Sequence, residues 1–450
     1  MILSIKEYMH RQIIKLAWPV IFEGVVIVAV NVLVTAMVGR LGAVPLAAVG
    51  LATMMQFSAA MVFAAAGTGA AAIVARETGA CHWREVRKIT GQAIMLGMVL
   101  GIVLAILGLL TAESVLKLTA AEPEVAGLAA DLVKIMFGFT PFFLIMSISN
   151  AALRGMGKTK LAFYITIFSN ALALLISYIL IFGYGVRPLG PYGAAWGLAV
   201  SQLAGGLAAL TVLSSRKTVG LSWRDILAVR RKTIRRIVDI SVPAALEQLA
   251  MQGGRMVFTF MLAGVGAVQF AAHQIAVQIE SMSFMPGFGF SIAAMTLVGQ
   301  YLGKGMPHRA VQFAWLTNKI AFWSMAVMGV IIFVLARPLA ALFIDVPEVI
   351  YWGALCVMVA VLEQPTLAIC FVLGGALRGA GDTRWPMYVT TAGVWLIRLP
   401  LVYLFIIVWG FDITAAWYIT AGDFLIRSAI LWWRFDSKKW MQIVNVTRIA

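Results

Sequence analysis

Glu23 and Glu247 are the residues from which chemistry is first expected. Each is an acid in a long apolar stretch, four residues after a proline, Pro19 or Pro243. No basic residue falls at an obviously matching depth for either. An acid without a cationic partner in a low dielectric can load and release a proton near physiological pH. Both therefore read as coupling-ion sites, and two such acids brought close would titrate together. The prolines read as places where a helix bends, because each removes a backbone hydrogen bond. A proline in the first turn of a helix is the plainer reading of the same residues.

Other charges in apolar stretches have candidate partners. Arg255 and Glu280 lie about ten and fifteen residues inward from the turn near Val265, a depth gap of roughly 7 Å. Glu363 and Arg398 lie at similar distances from the loop near Gly381. Asp423 and Arg427 are spaced i, i+4 on one helix face. These three pairs read as structural. Glu280 and Glu363 still stand as possible coupling or substrate acids, because an ionisable group inside a membrane is costly. Lys134 with Asp131, and Lys319, lie near helix ends and can snorkel. Gln248, Gln252, Gln274 and Gln278 add neutral polar groups in the first two helices of the second half. His273 is the only histidine within an apolar stretch there, either a pH sensor or a hydrogen-bonding group between helices.

Several classes are excluded by what is missing. Cys81, Cys356 and Cys370 have neither disulfide nor zinc-knuckle spacing, so no metal is expected. No phosphate-binding loop implies an ATP motor. No nucleophile, metal set or acid–base pair stands at a workable spacing, so the chain does not read as an enzyme and needs no cofactor.

The elements that must position these residues are membrane helices. Hydrophobic residues make up 62% of the chain and charged residues 12%, about half the soluble norm. Twelve apolar spans are expected, near 13–36, 44–74, 90–112, 125–150, 162–183 and 192–214, then 237–263, 268–298, 314–336, 349–374, 387–409 and 413–433. The net charge of +16 reflects topology rather than nucleic-acid binding. With the N-terminus inside, even loops and termini hold 26 of the 35 Lys and Arg, and odd loops hold four. That bias puts both termini in the cytoplasm. The first apolar run lacks a small-residue cleavage site, so no cleavable signal peptide is expected.

The chain is also written twice. Shifted by 224 residues, Pro19 and Glu23 fall on Pro243 and Glu247, Pro141 on Pro365, and Ala152-Leu153-Arg154-Gly155 on Ala376-Leu377-Arg378-Gly379. The expected domains are a six-helix lobe over 1–215, a basic cytoplasmic linker helix over 216–236 and a second six-helix lobe over 237–450. Six spans per repeat make the repeats parallel, related by a pseudo-two-fold along the membrane normal. A duplicated, apolar chain of this length points to a secondary transporter.

Several tracts resemble the MATE family, the multidrug and toxic compound extrusion transporters. They are Val38-Gly39-Arg40-Leu41-Gly42 with Leu46-Ala47-Ala48, Ala271-Ala272-His273-Gln274-Ile275-Ala276, and the paired loops Leu153–Thr159 and Leu377–Thr383. The resemblance covers nearly the whole chain. It implies an all-α integral membrane fold of twelve helices in two pseudo-symmetric lobes forming a V. The implied activity is efflux of small organic, often cationic, compounds against an inward H+ or Na+ flow. The implied setting is the inner (plasma) membrane, with the lipid bilayer as surroundings and the protein acting as a monomer. Many members carry an aspartate in the first helix where this chain has Val34. Glu23 lies eleven residues earlier, within about 20° of the same helix face. The rival reading is a lipid-linked flippase of related build, which would favour a cationic cleft and often extra spans.

Overall fold

The computed structural model describes residues 2–117, 122–185 and 187–441, with side chains from residue 6. Among the described residues the fold is all helical. The first repeat holds α1 (Ile2–Gly39), α2 (Ala43–Gly79), α3 (Trp83–Lys117), α4 (Pro123–Gly138), α5 (Thr140–Gly155), α6 (Thr159–Phe182) and α7 (Pro191–Ser214). A single turn, α8 (Trp223–Leu227), lies in the join. The second repeat holds α9 (Arg231–Ala263), α10 (Ala267–Gly303), α11 (Pro307–Val334), α12 (Ala336–Ala341), α13 (Pro347–Ala360), α14 (Gln364–Ala380), α15 (Arg384–Ala392), α16 (Leu399–Val402) and α17 (Ile413–Asp436).

These pieces make twelve spans, six per repeat. Helices α4 and α5 are one span bent by 50°. Their counterparts α13 and α14 join through a 3-10 turn at Val361–Glu363. Both breaks precede a proline, Pro141 or Pro365, which has no amide hydrogen to give the carbonyl four residues back. Helices α15 and α16 carry π-helical stretches at Gly393–Arg398 and Tyr403–Val408 and form one span. Among the described residues, nine spans are apolar and long enough by composition alone, and the bent pair makes a tenth. The other two, α9 and α17, hold the charges that place them below that threshold, among them Arg255, Asp423 and Arg427. Half of the spans start earlier and end later than the apolar runs: α2 spans 37 residues, about 55 Å of helix.

The chain divides into two compact units. One is Phe22–Ala245, and the other joins the part of α1 up to Ile21 to everything from Leu246 on. The divisions therefore fall inside α1 and α9, two residues after Pro19 and Pro243, rather than in the linker. Both helices continue through their prolines, so neither proline occupies a first turn. In the second unit, Met9, Ile13, Leu16 and Ala17 of α1 pack with Phe290, Leu297, Phe313 and Leu377. In the first, Ile237 of α9 packs with Ile73, Ile89, Ile148 and Leu153. Close helix contact depends on glycine at matching places. A Cβ on Gly155 would stand 2.5 Å from the Ala71 carbonyl oxygen, and one on Gly379 would collide with that of Met295.

The join is an irregular, docked segment rather than the expected linker helix. Its backbone is held by side chains of the first unit: Arg87 donates to the Val219 carbonyl at 3.2 Å and Lys158 to that of Lys217 at 2.9 Å. Burial pushes the Lys158 ammonium below its ordinary pKa.

Candidate functional site

Glu23 and Glu247 are not free of cations, and that expectation is corrected. The Arg154 guanidinium donates to Glu23 Oε1 at 2.6 Å, and Thr166 Oγ1 donates to the same oxygen at 2.7 Å. In the second repeat Arg378 donates to Glu247 Oε1 at 2.7 Å and Thr390 at 3.0 Å. Both glutamates are buried, and Glu23 Oε2 has no donor. The partners escape a depth argument because Arg154 and Arg378 sit in the last turns of α5 and α14 and read as loop residues. Their long side chains turn back into the lobe. The signal was present all the same: each arginine follows its glutamate by 131 residues in both copies.

The second unit holds a further cluster. Asp423 on α17 accepts from Arg398 Nε at 2.9 Å and from Arg427 Nε at 2.7 Å. The expected Asp423–Arg427 pair is therefore present. Both guanidinium groups lie over the Phe424 ring, at 5.0 and 5.1 Å. Gly393 makes room for this knot, since a Cβ there would stand 2.5 Å from Asp423 Oδ1. The expected Glu363–Arg398 ion pair is corrected, because Arg398 is committed to Asp423. No Arg255–Glu280 ion pair forms among the described residues. Lys134 pairs with Glu113 and, at 3.9 Å, with Asp131, while Lys319 is exposed.

Glu363 instead lies near Glu280. It is fully buried at the end of the 3-10 turn, and neither of its oxygens has a hydrogen-bond donor. The side chain within its reach is the Glu280 carboxyl of α10. Two carboxylates only accept, so a hydrogen bond between them requires one proton to be shared. A cavity of about 10 Å³, room for about one water, is lined by Glu280, Ser283 and Gln364 with Ile332, Val357, Ala360 and Val361. Gln364 Oε1 is also buried without a partner.

The remaining candidates do not join this pair. Gln274 and Gln278 are exposed, and Gln248 and Gln252 are half-buried. Gln248, Gln274 and Gln278 make no hydrogen bond to the acid pair among the described residues. His273 is buried among Phe258, Phe270 and Trp417, with ring centroids 5.8, 6.4 and 5.5 Å away. Its Nδ1 has no partner, and aromatic packing rather than a carboxylate surrounds it.

The corresponding place in the first repeat is occupied by amides, which the sequence reading missed. Gln56 donates to the Met136 carbonyl at 2.7 Å and to Thr140 Oγ1 at 3.3 Å, and it exchanges hydrogen bonds with Gln202. The 224-residue offset sets Gln56 on Glu280 and Phe139 on Glu363. That offset was the available signal.

The MatE family model matches residues 19–179 and again residues 243–404, so the match is duplicated as the sequence is. The chain belongs to the MatE family. It is thus a multi-pass membrane transporter rather than a member of an enzyme family. Each MatE match begins at one of the two prolines. Among MatE relatives, the chain is 29% identical to a probable multidrug resistance protein NorM of Thermotoga maritima, over 98% of this chain and 95% of that one. It is 28% identical to a probable NorM of Rhizobium meliloti, over 90% and 89%. Two solved structures share the fold with a TM-score of 0.89. One is a MOP superfamily transporter from Pyrococcus furiosus Vc1 at 20% identity, covering 97% of both chains. The other is a variant of the Vibrio cholerae MATE transporter VcmN at 19% identity, covering 96% and 97%.

Proposed function

We propose that this protein is a cation-coupled antiporter that exports small organic, cationic compounds across the inner membrane, with both termini cytoplasmic. The observation that carries the coupling is the donorless, fully buried Glu363 carboxyl with Glu280 nearby. Glu280 is half-buried, and a cavity of one water's size lies beside them. Such a pair gains one proton without leaving a new buried charge unpaired. Arg398, Asp423 and Arg427 lie close by as a fixed counter-charge. The names of the NorM relatives, multidrug resistance proteins, support drug-like organic compounds as substrates. The positive-inside bias supports the orientation.

On this reading the cation and the substrate favour different conformations of one carrier. By linkage, each lowers the affinity for the other. Coupling passes from the expected Glu23 and Glu247 to Glu280 and Glu363, because the first two are already committed to arginines. Pro19 and Pro243 are then the hinge candidates, since the compact units divide beside them.

The test is transport in proteoliposomes, with proton and sodium gradients imposed separately on a panel of organic cations. Accumulation driven by an inward proton gradient alone supports a shared proton. Accumulation driven by sodium alone assigns the same oxygens to Na+. No response to either gradient would reject an antiporter.

A further inference from the structure

We infer that the join between the repeats is a docking surface for an anionic phospholipid bilayer. The segment Arg216–Arg236 holds eight Lys and Arg and one acid, Asp225. Asp225 is already engaged, accepting from the Ser222 backbone nitrogen at 3.2 Å and from its hydroxyl at 2.7 Å. Arg236 pairs with Glu77 at 2.9 Å. The exposed Arg216, Lys217, Arg224, Arg231, Lys232 and Arg235 have no ion pair among the described residues. A solvated loop would place such charges at random. This one is built.

Gln92 of α3 is fully buried and spends its amide on the segment. It donates to the carbonyls of Asp225 at 2.9 Å and Ala228 at 2.8 Å, and accepts from the Arg230 backbone at 2.9 Å. Gly91 beside it leaves room for the Asp225 carbonyl, which would stand 2.5 Å from a Cβ. Val219, Leu221 and Ile226 are buried beneath. The inner face of the segment is thus fixed. Its outer face shows Trp223, Leu227 and Val229, which are 70%, 65% and 67% exposed.

Large apolar side chains between unpaired cations suit one environment, the boundary between headgroups and acyl chains. Charge complementarity commits the occupant. Juxtamembrane basic clusters are attracted by acidic headgroups and not by zwitterionic ones. The inference does not depend on the coupling site or on which side of the membrane the segment lies, because both leaflets of the test membrane are alike.

The experiment uses the full-length protein with a fluorophore at Leu227→Cys, in a background lacking Cys81, Cys356 and Cys370. It is placed in phosphatidylcholine nanodiscs with an equal fraction of brominated phosphatidylglycerol or brominated phosphatidylcholine. The acidic lipid is expected to quench about twofold more strongly. That preference is lost in Arg231→Gln/Lys232→Gln/Arg235→Gln and kept in Lys6→Gln/Lys304→Gln/Lys439→Gln. High salt collapses it in the unsubstituted segment, a readout that needs no altered charge. Equal quenching by both lipids overturns the inference. So does a preference that the control triple loses as fully as the linker triple. Removal of the preference by millimolar inorganic phosphate at constant ionic strength also overturns it, since that outcome describes a free-anion site.

Discussion

Gln56 and Glu280 occupy the same position of the two repeats, 224 residues apart, and meet the helix break beside them in opposite ways. Gln56 closes its break with an amide donated to the Met136 carbonyl at 2.7 Å. Glu280 brings a second carboxyl to Glu363. The backbone keeps its two-fold repetition while the chemistry does not. One repeat is satisfied with neutral groups, and the other keeps a buried carboxyl without a donor.

Glu280→Gln and Glu363→Gln are each expected to fold, because each removes one of two mutually repelling acids. Binding of a substrate cation should persist, while gradient-driven accumulation falls by about tenfold or more, the ratio set by about 1.4 kcal/mol. The double variant should lose no more than either single one, since the two acids act as a unit. Measured proton release on substrate binding is expected in the parent and absent in all three. Full accumulation in both single variants sinks the assignment.

The converse change tests the first repeat. Gln56→Glu replaces a buried donor with an acceptor, and the Met136 carbonyl keeps only its longer bonds from the Phe139 backbone at 3.3 Å and Thr140 Oγ1 at 3.4 Å. The cost falls on the new carboxylate, which is buried without a donor, at about 1–3 kcal/mol or more for a charged group, so thermal stability in detergent should fall. No second coupling site should arise, because Phe139 stands where Glu363 stands in the second repeat. Proton-to-substrate stoichiometry checks this directly.

Much of this was legible before the fold was seen. The constant offset forecast the repeated helices and the matched prolines of α1 and α9; it paired Pro141 with Pro365, but the breaks beside them were not read from it. The ion pairs were not legible, for a physical reason. Depth along a helix locates Cα atoms, but Arg154 and Arg378 reach several ångströms beyond theirs. Glu363 was assigned to Arg398 by depth alone, whereas rotation about the helix axis decides which neighbour it faces. The docked linker was missed because helical periodicity says nothing of a loop held by Gln92.

Topology is tested by labelling cysteines from outside, in a background lacking Cys81. Both Leu189 and Ser215 are exposed ends of loops. With cytoplasmic termini, a membrane-impermeant reagent should label Leu189→Cys in intact cells and miss Ser215→Cys until the membrane is opened. The opposite pattern rejects the orientation.

Gly393→Ala probes the charged knot. The added methyl would press on Arg427 Nε and stand 2.5 Å from Asp423 Oδ1, and overpacking of this kind costs about 1–3 kcal/mol. Gly422→Ala on the neighbouring helix meets nothing within 4 Å and should be neutral or mildly stabilising. Comparing their melting temperatures separates crowding of the knot from the general effect of adding a methyl. Equal stability for the two variants would show that the knot yields readily.

Glu247→Gln gives the clearest contrast between sequence and structure. Read as an unpaired acid, Glu247 should be neutralised without harm to folding. Read with Arg378 at 2.7 Å and Thr390 at 3.0 Å, it holds a guanidinium whose side chain is 22% exposed. A neutral amide in its place would leave that charge without its counter-ion. Breaking a buried pair from one side costs about 3–5 kcal/mol, and the partial exposure of Arg378 puts the expected loss at the low end. Glu247→Gln/Arg378→Gln removes both charges and should recover much of that loss, a coupling readable from a double-mutant cycle. Glu23→Gln should behave alike through Arg154, because the repeat carries the same pair. If Glu247→Gln melts like the parent yet loses accumulation, the pair opens during transport and Glu247 itself belongs to the coupling machinery.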